Sequence, residues 1–400
     1  MYRKTYIEVN LDNINYNVKN IIKKFNDYKY YIAMVKANAY GHGLYVINEM
    51  IEAGINYFAV STLEEAMTIR KYNKDIPIIC TEIIDLDCIE IAIKNKITLT
   101  IHDIDYLKQI VKYKDKIIVH IKIDTGMHRL GIETTKEFNE AFDIIKKNKQ
   151  IYLEGLYTHF ATPGVTDNFF DHQIKEFRKI TKDIDLEEIP IIHMSSSFIT
   201  LSHPKIDICN GIRVGTILYG YDISLKSMNN NPKNILRKVR NNYLIKKNNI
   251  SECIYDNCIN LKKCFSLKTN IMQIKHLKKG DKVGYRLLYT APKDTYIATL
   301  PIGYDDGIGT HHENRQVSIN NKKYNIVGEI SMCMINVEVD KSVKLSDEVT
   351  IIGDGITIYS ISSRMNTTFH NTLINIGKNL PRVYIKNNKK VHEESFFKEV

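Results

Sequence analysis

A single lysine, Lys36, directly follows an apolar run that ends at Val35. Gly41, His42 and Gly43 come shortly after it. A lysine at the end of a buried strand is expected to have a lowered pKa, because burial disfavours its charged form. Its neutral amine would then be a nucleophile for carbonyl groups, as in a Schiff-base lysine. A surface lysine in a strand-to-helix loop is the alternative, and the lysine alone does not exclude it.

The elements around this lysine alternate regularly. Short β-branched runs are separated by amphipathic helical runs, a pattern typical of parallel strands buried on both faces. Eight such units predict a (β/α)₈ TIM-type barrel. No G-x-G-x-x-G fingerprint supports the alternative, a doubly wound open sheet. The predicted strands are 30–35, 57–60, 76–80, 97–101, 117–123, 152–157, 189–193 and 212–219.

The rest of the sequence lacks the regular alternation of strands and helices. Its short apolar runs predict a mostly β C-terminal domain. An additional strand is expected at 6–9, and a helix at 372–379. The β-domain strands are expected at 269–274, 296–300, 316–319, 323–327, 335–339 and 348–352. We predict a barrel domain with its N-terminal strand at 1–223, a polar linker or insertion at 224–263, the β domain at 264–390 and a charged tail at 391–400.

Composition narrows the class of protein. The net charge is +10, but the lysines are scattered, which favours solvated surfaces over nucleic-acid binding. No apolar segment is long enough to span a bilayer, and no signal peptide is evident, so we expect a cytoplasmic protein without a membrane partner. The seven cysteines are an odd number. Cys253, Cys258 and Cys264 lack zinc-site spacing, so we expect reduced thiols and no metal.

Barrel enzymes carry their active sites at the carboxyl ends of the strands. These ends supply a nucleophilic lysine, a histidine ring, an arginine, and hydroxyl and glycine residues suited to a phosphate. Pyridoxal phosphate would use all four, since it combines an aldehyde, a flat ring, a ring nitrogen and a phosphate. Each residue alone has an ordinary structural explanation, and their shared position favours the site. The residues are Lys36, Tyr40, Lys122, Asp124, Arg129, His159, Ser196, Ser197, Arg213, Gly215 and Thr216.

Three motifs, in order along the chain, carry a family resemblance. The stretches 35–43, 122–131 and 301–307 read VKANAYGHG, KIDTGMHRLG and PIGYDDG. They resemble the signatures of the alanine racemases, the fold-type III family of pyridoxal phosphate enzymes. The resemblance implies interconversion of L-alanine and D-alanine, with D-alanine supplied for peptidoglycan.

The resemblance also implies residue roles. Lys36 would hold the cofactor and act as one acid/base, and Tyr285 would act from the opposite face. Tyr285 and Met332 would come from the partner subunit of a homodimer, Met332 helping to hold the substrate carboxylate. Arg129 would bind substrate, Lys122 would be a candidate for carbamylation, and Tyr304 would line the entrance. The implied cofactor contacts are Lys36, Tyr40, His159, Ser196, Ser197, Arg213, Gly215, Thr216 and His370.

The two-base chemistry has a physical logic. The side chains of lysine and tyrosine each have an ordinary pKa of about 10, so neither suits proton transfer at neutral pH unchanged. A nearby arginine lowers the pKa of the tyrosine, and desolvation lowers that of the lysine. An arginine opposite the pyridine nitrogen, here Arg213, disfavours protonation of that nitrogen and should suppress transamination.

Three positions depart from the family pattern. Ser196 stands where relatives usually have asparagine, Cys333 where they have aspartate, and His370 where they have tyrosine. These changes keep three alternatives open: a serine racemase, a broad-specificity racemase and a catalytically weakened pyridoxal phosphate-binding relative. A decarboxylase is disfavoured because Arg213 replaces the acidic partner that those enzymes use. A cofactor-homeostasis protein is disfavoured because it would lack the β domain that contains Tyr285.

Overall fold

The computed structural model describes residues 2–162, 166–221, 232–248, 259–310 and 315–395. The chain divides into two compact units, each built from separate stretches of sequence. One comprises Asn13–Lys36 and Leu44–Lys262, and the other comprises Met1–Asp12, Ala37–Gly43 and Lys263–Val400. We call them the barrel unit and the sheet unit. The chain passes from one to the other directly after Lys36.

Eight parallel strands close a barrel in the barrel unit, as the sequence predicted. The second strand of the chain pairs with both the third and the ninth, and this pairing closes the ring. Most side chains of these strands are buried, which explains their continuous apolar character. The strands are β2 (Tyr30–Met34), β3 (Tyr57–Val60), β4 (Ile78–Cys80), β5 (Ile97–Ile101), β6 (Ile117–Lys122), β7 (Ile151–Tyr157), β8 (Ile191–Ser196) and β9 (Gly211–Val214).

Helices follow the barrel strands, and polar side chains cap the N-termini of several of them. Thr62 and Glu65 form a capping box, and Asp103 and Thr134 cap two further helices with their side-chain oxygens. The helices that follow β2 to β8 are α3 (Val46–Glu52), α4 (Leu63–Tyr72), α5 (Ile89–Lys94), α6 (Ile104–Ile110), α7 (Thr135–Lys147), α8 (Phe169–Ile180) and α9 (Ser197–Ser202). α1 (Leu11–Lys24) precedes the barrel, and α2 (Lys36–Tyr40) is a short element described below.

The last barrel strand is shorter than predicted. The sequence analysis placed a strand at 212–219, whereas β9 ends at Val214 and Thr216–Tyr219 form a 3₁₀ helix. The N–H of Gly215 donates to the Ser197 hydroxyl at 2.8 Å, not to a neighbouring strand. This bond ends the strand at the position where a phosphate-binding turn was expected.

The sheet unit contains a ten-stranded sheet in the order β11-β14-β17-β16-β15-β18-β10-β1-β19-β20. Its strands are β1 (Tyr6–Asn10), β10 (Phe265–Asn270), β11 (Gln273–Leu277), β14 (Thr295–Leu300), β15 (Gln316–Ile319), β16 (Lys322–Val327), β17 (Ile335–Val339), β18 (Glu348–Ile352), β19 (Arg382–Lys386) and β20 (Lys389–Glu394). A hairpin of β12 (Lys282–Val283) and β13 (Tyr289–Thr290) and two helices, α11 (Ile358–Arg364) and α12 (Phe369–Asn375), complete it. The predicted mostly β C-terminal domain is confirmed.

The first strand differs from its predicted grouping. β1 pairs with β10 and β19 of the sheet, whereas the sequence analysis placed it with the barrel domain at 1–223. Its burial alternates along the strand, as expected for a strand with one covered face and not for a parallel barrel strand. The other domain limits, at 224–263, 264–390 and 391–400, stay predictions.

Three further elements differ from the sequence expectations. The predicted strand 269–274 is two strands, because the chain turns between β10 and β11 at 271–272. The predicted linker contains a helix, α10 (Pro232–Lys247), and its flanks at 222–231 and 249–258 lie outside the described residues. β20 covers the start of the predicted tail, whose last residues, 396–400, also lie outside them.

Candidate active site

The chain makes a left-handed turn immediately after Lys36. Val35 continues the barrel pairing, since its N–H donates to the Ala59 carbonyl at 3.0 Å. The four residues from Ala37 to Tyr40 then adopt φ values of 51° to 53°. For residues with a Cβ this conformation costs about 1–2 kcal/mol each. Strain of this kind persists only where surrounding contacts enforce it, and it is common at functional sites.

His42 enforces part of this turn from within the sheet unit. The side chain is buried, and Nδ1 donates to the carbonyl oxygens of Ala39 at 3.0 Å and Tyr40 at 3.1 Å. Its ring meets Phe265 edge-on at 5.5 Å. Burial lowers the pKa of His42 to about 3, so the imidazole is neutral. The histidine of the first motif is therefore a structural support of the turn.

Lys36 itself is exposed. The sequence analysis expected burial of this side chain, and the exposed position corrects that expectation. The physical reason is its location, since the lysine is the last residue of the barrel stretch before the chain enters the sheet unit. Lys36 still contributes positive charge at the barrel mouth, where it helps to lower the pKa of His159.

Arg213, on β9, is buried and fully engaged with acceptors at the barrel mouth. Nη1 donates to Nδ1 of His193 at 2.9 Å and to the His193 carbonyl at 2.5 Å. Nη2 donates to the carbonyls of Thr158 at 2.8 Å and Met194 at 3.0 Å, and to Nδ1 of His159 at 3.2 Å. Burial lowers the pKa of Arg213 to about 10, so the guanidinium stays charged at neutral pH.

A network of polar side chains continues from Arg213 through buried His193 and His120 to the partly buried Glu154. Nε2 of His193 lies 2.9 Å from Nδ1 of His120, and Nε2 of His120 lies 3.0 Å from Oε2 of Glu154. The same carboxylate oxygen accepts a hydrogen bond from the Tyr57 hydroxyl at 2.6 Å. The sequence analysis missed His120 and Glu154. Each is a polar residue on a strand otherwise rich in apolar residues, which is the signal that could have found them.

Four cations converge on His159, which follows β7. Burial lowers the pKa of His159 to about 3, and the charges of Arg213, Arg129, Lys122 and Lys36 lower it further. A neutral, flat imidazole therefore lies among four positive groups. Such a concentration of positive charge at one end of a barrel favours an anionic ligand.

Lys122 ends β6 and is buried. Burial lowers its pKa to about 8, and Arg129 and Arg213 act in the same direction. Asp124 organises the loop beyond it, because its carboxylate accepts backbone N–H groups of Gly126 at 2.9 Å, His128 at 3.0 Å and Arg129 at 2.8 Å. The second motif is thus a loop built on one carboxylate, and it presents Arg129 as an exposed side chain.

The turns after β8 and β9 meet through Ser197 and Gly215. The Ser197 hydroxyl, buried at the start of α9, accepts the Gly215 N–H, and Thr216 is buried beside them at the start of the 3₁₀ helix. Ser196 precedes α9 and has no side-chain capping bond, so its hydroxyl does not satisfy the helix start. The structure therefore brings the predicted phosphate-binding residues Ser197, Gly215 and Thr216 together.

Tyr40 and His370 lie near each other within the sheet unit. Their ring centroids are 6.5 Å apart with the planes tilted by 53°. Gly41 follows at φ 83°, and a Cβ there would lie 2.6 Å from the Leu373 carbonyl oxygen of α12. The turn after Lys36 is therefore packed against the helix that carries His370.

The other predicted site residues of the sheet unit lie on three neighbouring exposed segments. Gly303 leaves room for the Met332 carbonyl, with which an added Cβ would collide. Tyr304 donates its N–H to the Ser331 carbonyl at 3.1 Å, which ties these two segments together. Arg286, next to Tyr285, pairs with Glu329 through two hydrogen bonds of 2.9 and 2.5 Å. The exposed apolar side chains are Tyr285, Leu287, Leu288, Tyr304, Met332 and Met334.

Two classes of feature are absent from the described ranges. Among these residues, no helix is long and apolar enough to cross a membrane. No group of three or more His, Cys, Asp or Glu residues within the same ranges could hold a metal ion.

Comparison with known families identifies both parts of the chain. Residues 9–223 match the family described as "Alanine racemase, N-terminal domain". Residues 264–384 match the family described as "Alanine racemase, C-terminal domain". An alanine racemase of Halalkalibacterium halodurans is 32% identical over 399 residues, covering 96% of each chain.

Solved structures agree in fold over nearly the whole chain. The alanine racemase of Clostridium difficile 630 superposes with a TM-score of 0.87 at 29% identity, covering 99% of this chain and 100% of that one. A histidine racemase from Leuconostoc mesenteroides subsp. sake NBRC 102480 superposes with a TM-score of 0.82 at 25% identity, covering 96% and 99%. The chain therefore belongs to the alanine racemase family, a family of pyridoxal phosphate-dependent amino-acid racemases.

Proposed function

We propose that this protein interconverts L-alanine and D-alanine with pyridoxal phosphate, using Lys36 and Tyr285 as acid/base groups on opposite faces of the substrate. The observation that carries the proposal is the convergence of Arg213, Arg129, Lys122 and Lys36 on a neutral His159. An anionic phosphate, a phenolic oxygen and a substrate carboxylate would together balance that charge. Family membership supports the reaction class.

The donor set of the barrel unit fits the cofactor. Lys36 offers an exposed amine for its aldehyde, and Ser197, Gly215 and Thr216 form a compact turn of hydroxyl and N–H groups for its phosphate. When bound, pyridoxal phosphate supplies an electron-withdrawing ring that acidifies the α-proton of an attached amino acid. Tyr40, Ser196 and His370 are the further proposed cofactor contacts.

Arg213 and His159 would set the electronic environment of the ring. Arg213 is a buried cation with its charge fixed, so it would oppose protonation of a pyridine nitrogen placed against it. His159 accepts a hydrogen bond from Arg213 at Nδ1 and is uncharged, so its flat face would pack against the ring. Arg129 would bind the substrate carboxylate. Carbamylation would convert the Lys122 amine to a negative group, which would pair with Arg129.

The active form is proposed to be a homodimer in which Tyr285 and Met332 complete the partner subunit's site, with Tyr304 at the entrance. The exposure of these three side chains supports the proposed dimer: Tyr285 is 68% exposed, Met332 56% and Tyr304 41%. Exposed large apolar side chains on neighbouring segments are typical of an interaction surface.

A complementation experiment tests the dimer and both acid/base groups together. Lys36→Ala and Tyr285→Phe should each abolish alanine racemisation. Refolding or co-expressing the two variants should then restore about one quarter of wild-type activity, because half of the dimers are hybrids with one intact site each. Restoration rules out a site built within one subunit. No recovery, with hybrid dimers verified, would contradict the shared site.

Substrate preference has a second candidate, a serine or broad-specificity amino-acid racemase. Cys333 is exposed next to Met332, and His370 lies beside Tyr40, so two departures from the family pattern fall at the proposed gate. The similar histidine racemase indicates that this fold also accepts a larger amino acid. A catalytically weakened pyridoxal phosphate-binding relative would take up cofactor without exchanging α-protons. We further propose a cytoplasmic role in D-alanine supply for peptidoglycan.

A further inference from the structure

The basic residues are scattered along the chain, but most of its net positive charge comes from one stretch that has few acidic residues. Residues 224–263 contain nine lysines and arginines against two acidic residues, which accounts for seven of the ten net positive charges of the protein. Neither matched family domain includes this stretch, since the matches cover 9–223 and 264–384. This excess of positive charge therefore lies outside both matched domains.

The described part of this stretch contains α10, a helix of 16 residues. Its sequence has six lysines and arginines and no acidic residue. Four large apolar side chains are exposed: Ile235 at 47%, Leu236 at 70%, Val239 at 62% and Tyr243 at 63%. Their spacing places them within an arc of about 100° on one side of a helix. We call this set the α10 apolar stripe.

Most of the stripe lies on the side of α10 away from the barrel, and Leu236, at its edge, also lines a cavity with Thr166 of the barrel unit. The partly buried positions of α10 include Asn241, Leu244 and Ile245, on the side opposite the stripe. The helix end is fixed to the barrel unit, because Asn248 donates from Nδ2 to the Thr166 carbonyl at 2.7 Å. A surface helix normally turns its apolar side chains inward, whereas α10 leaves the four large apolar side chains of the stripe exposed in addition to the partly buried Leu244 and Ile245.

We propose that α10 docks the protein on an anionic lipid surface. The exposed Arg240 and Lys247 border the stripe and Lys246 follows it at the end of the helix, so apolar side chains would enter the headgroup region while basic groups contact lipid phosphates. Anionic lipids attract such basic residues at short range. The stripe would lie in the plane of the membrane, which requires no spanning segment. This proposed peripheral docking differs from the sequence expectation of no membrane partner.

Other binding partners fit the α10 apolar stripe and its basic residues less well than anionic lipid does. A second copy of the chain would bring two α10 helices of the same sign together, which is repulsive. A nucleic acid would be bound through basic side chains and would leave four large apolar groups in water. Anionic lipid is the partner that satisfies the basic and the apolar groups at the same time.

The test uses the full-length, cofactor-loaded protein and vesicles of phosphatidylcholine with or without phosphatidylglycerol. Flotation should recover the protein with the anionic vesicles and not with pure phosphatidylcholine, and high salt should weaken binding. Lys246→Gln with Lys247→Gln should lower the partition coefficient about tenfold or more. Lys146→Gln with Lys147→Gln, two exposed lysines at the end of α7, is the matched control and should change it little.

A second pair of variants tests the apolar stripe. Leu236→Asn with Val239→Asn should abolish flotation, whereas Leu345→Asn, at a leucine 56% exposed elsewhere, should not. The chain has no tryptophan, so Leu236→Trp adds a single tryptophan whose selectively excited emission should shift to the blue with anionic vesicles. Amino-acid α-proton exchange without vesicles should be unchanged in all of these variants.

Three results would overturn the proposal. Absence of flotation with anionic vesicles at low salt would exclude lipid as the partner. Binding that persists in the Leu236→Asn/Val239→Asn variant would indicate adsorption by net charge alone. Self-association in vesicle-free buffer, abolished by the same variant, would instead identify a second copy of the chain as the occupant.

Discussion

Arg213 donates a hydrogen bond from Nη1 to Nδ1 of His193 across 2.9 Å. This bond fixes which atoms donate and which accept in the hydrogen-bond network beyond it. A guanidinium has only donors, so Nδ1 of His193 accepts and the ring proton lies on Nε2. That N–H donates to Nδ1 of His120, whose own Nε2–H donates to Glu154. Burial lowers the pKa of both histidines, so both rings are neutral. Each hydrogen bond of the network therefore donates in the direction from Arg213 to the Glu154 carboxylate.

This arrangement predicts that His193 positions Arg213. In His193→Leu, Nη1 loses its side-chain acceptor and His120 loses its donor. The free energy of unfolding should fall by about 1–3 kcal/mol, measured by urea denaturation, because a buried donor of Arg213 and a buried acceptor of His120 are left unsatisfied. His193→Asn retains a side-chain oxygen able to accept from Arg213 and should preserve more stability and more α-proton exchange. Equal behaviour of the two variants would show that the acceptor at Nδ1 is unimportant.

The lowered pKa of Lys122 predicts its modification. Burial lowers this pKa to about 8, so about one tenth of the amine is neutral at pH 7, far more than for an ordinary lysine. Only the neutral amine adds carbon dioxide. With ¹³C-bicarbonate, a carbamate signal should appear in the NMR spectrum and grow as the pH rises from about 6 to about 9.

The control for this modification is Lys122→Arg, which should lack the carbamate signal. Stability gives an independent readout. Above the folded pKa of about 8 and below the ordinary lysine value of 10.5, the unfolded state binds more protons than the folded state, so stability rises with pH in this window. The rise should be absent in Lys122→Met. A carbamate signal unchanged by Lys122→Arg would place the modification elsewhere.

The Asp124 loop predicts a loss of stability in acid. Burial would raise the Asp124 pKa, but the backbone N–H groups of Arg129, Gly126 and His128 outweigh it and hold the pKa below the ordinary aspartate value of 3.8. The carboxylate therefore contributes stability above that value, and the contribution is lost as the pH falls below it. In urea titrations, wild type should lose more stability than Asp124→Asn as acid is added. Parallel acid profiles would contradict this role.

The packing of the turn after Lys36 predicts different costs for two glycines. In Gly280→Ala only the left-handed backbone is penalised, by about 1–2 kcal/mol, because no atom lies within 4 Å of the new Cβ. In Gly41→Ala the Cβ also meets the Leu373 carbonyl at 2.6 Å, which adds about 1–3 kcal/mol of overpacking. The difference should appear in urea midpoints. Equal losses would show that the turn can move away from α12.

Most of the fold was predictable because the barrel strands are apolar on both faces and are separated by periodic helices. The last strand was predicted too long, since its apolar residues continue through Ile217 and Leu218 into a 3₁₀ helix. The grouping of β1 with the sheet was not predictable locally, because its partners β10 and β19 lie far along the chain. Pairing of that kind depends on tertiary contacts that short-range patterns do not contain.

The candidate site was predictable where its residues occupy strand ends. Arg213, His159, Ser197 and Gly215 meet as their positions on the barrel required. The left-handed turn was not foreseen, because Ala37 and Ala39 give no signal for positive φ and the single Asn38 between them does not specify a run of four such residues. The exposure of Lys36 was also missed, because it depends on the chain leaving the barrel unit at that residue. The sequence alone also did not connect Glu154 with Arg213.

Lys36 and Tyr285 are proposed to exchange the α-proton of a bound amino acid. The most direct measurement is α-proton exchange in deuterated water, followed by proton NMR, with L-alanine, L-serine and L-histidine and with Lys36→Ala as the control. The α-proton signal of L-alanine should disappear fastest, and the variant should leave it intact. Faster loss of the α-proton signal for L-serine or L-histidine would show that the protein prefers that amino acid to L-alanine. Retention of every α-proton signal by cofactor-loaded protein would contradict the claim.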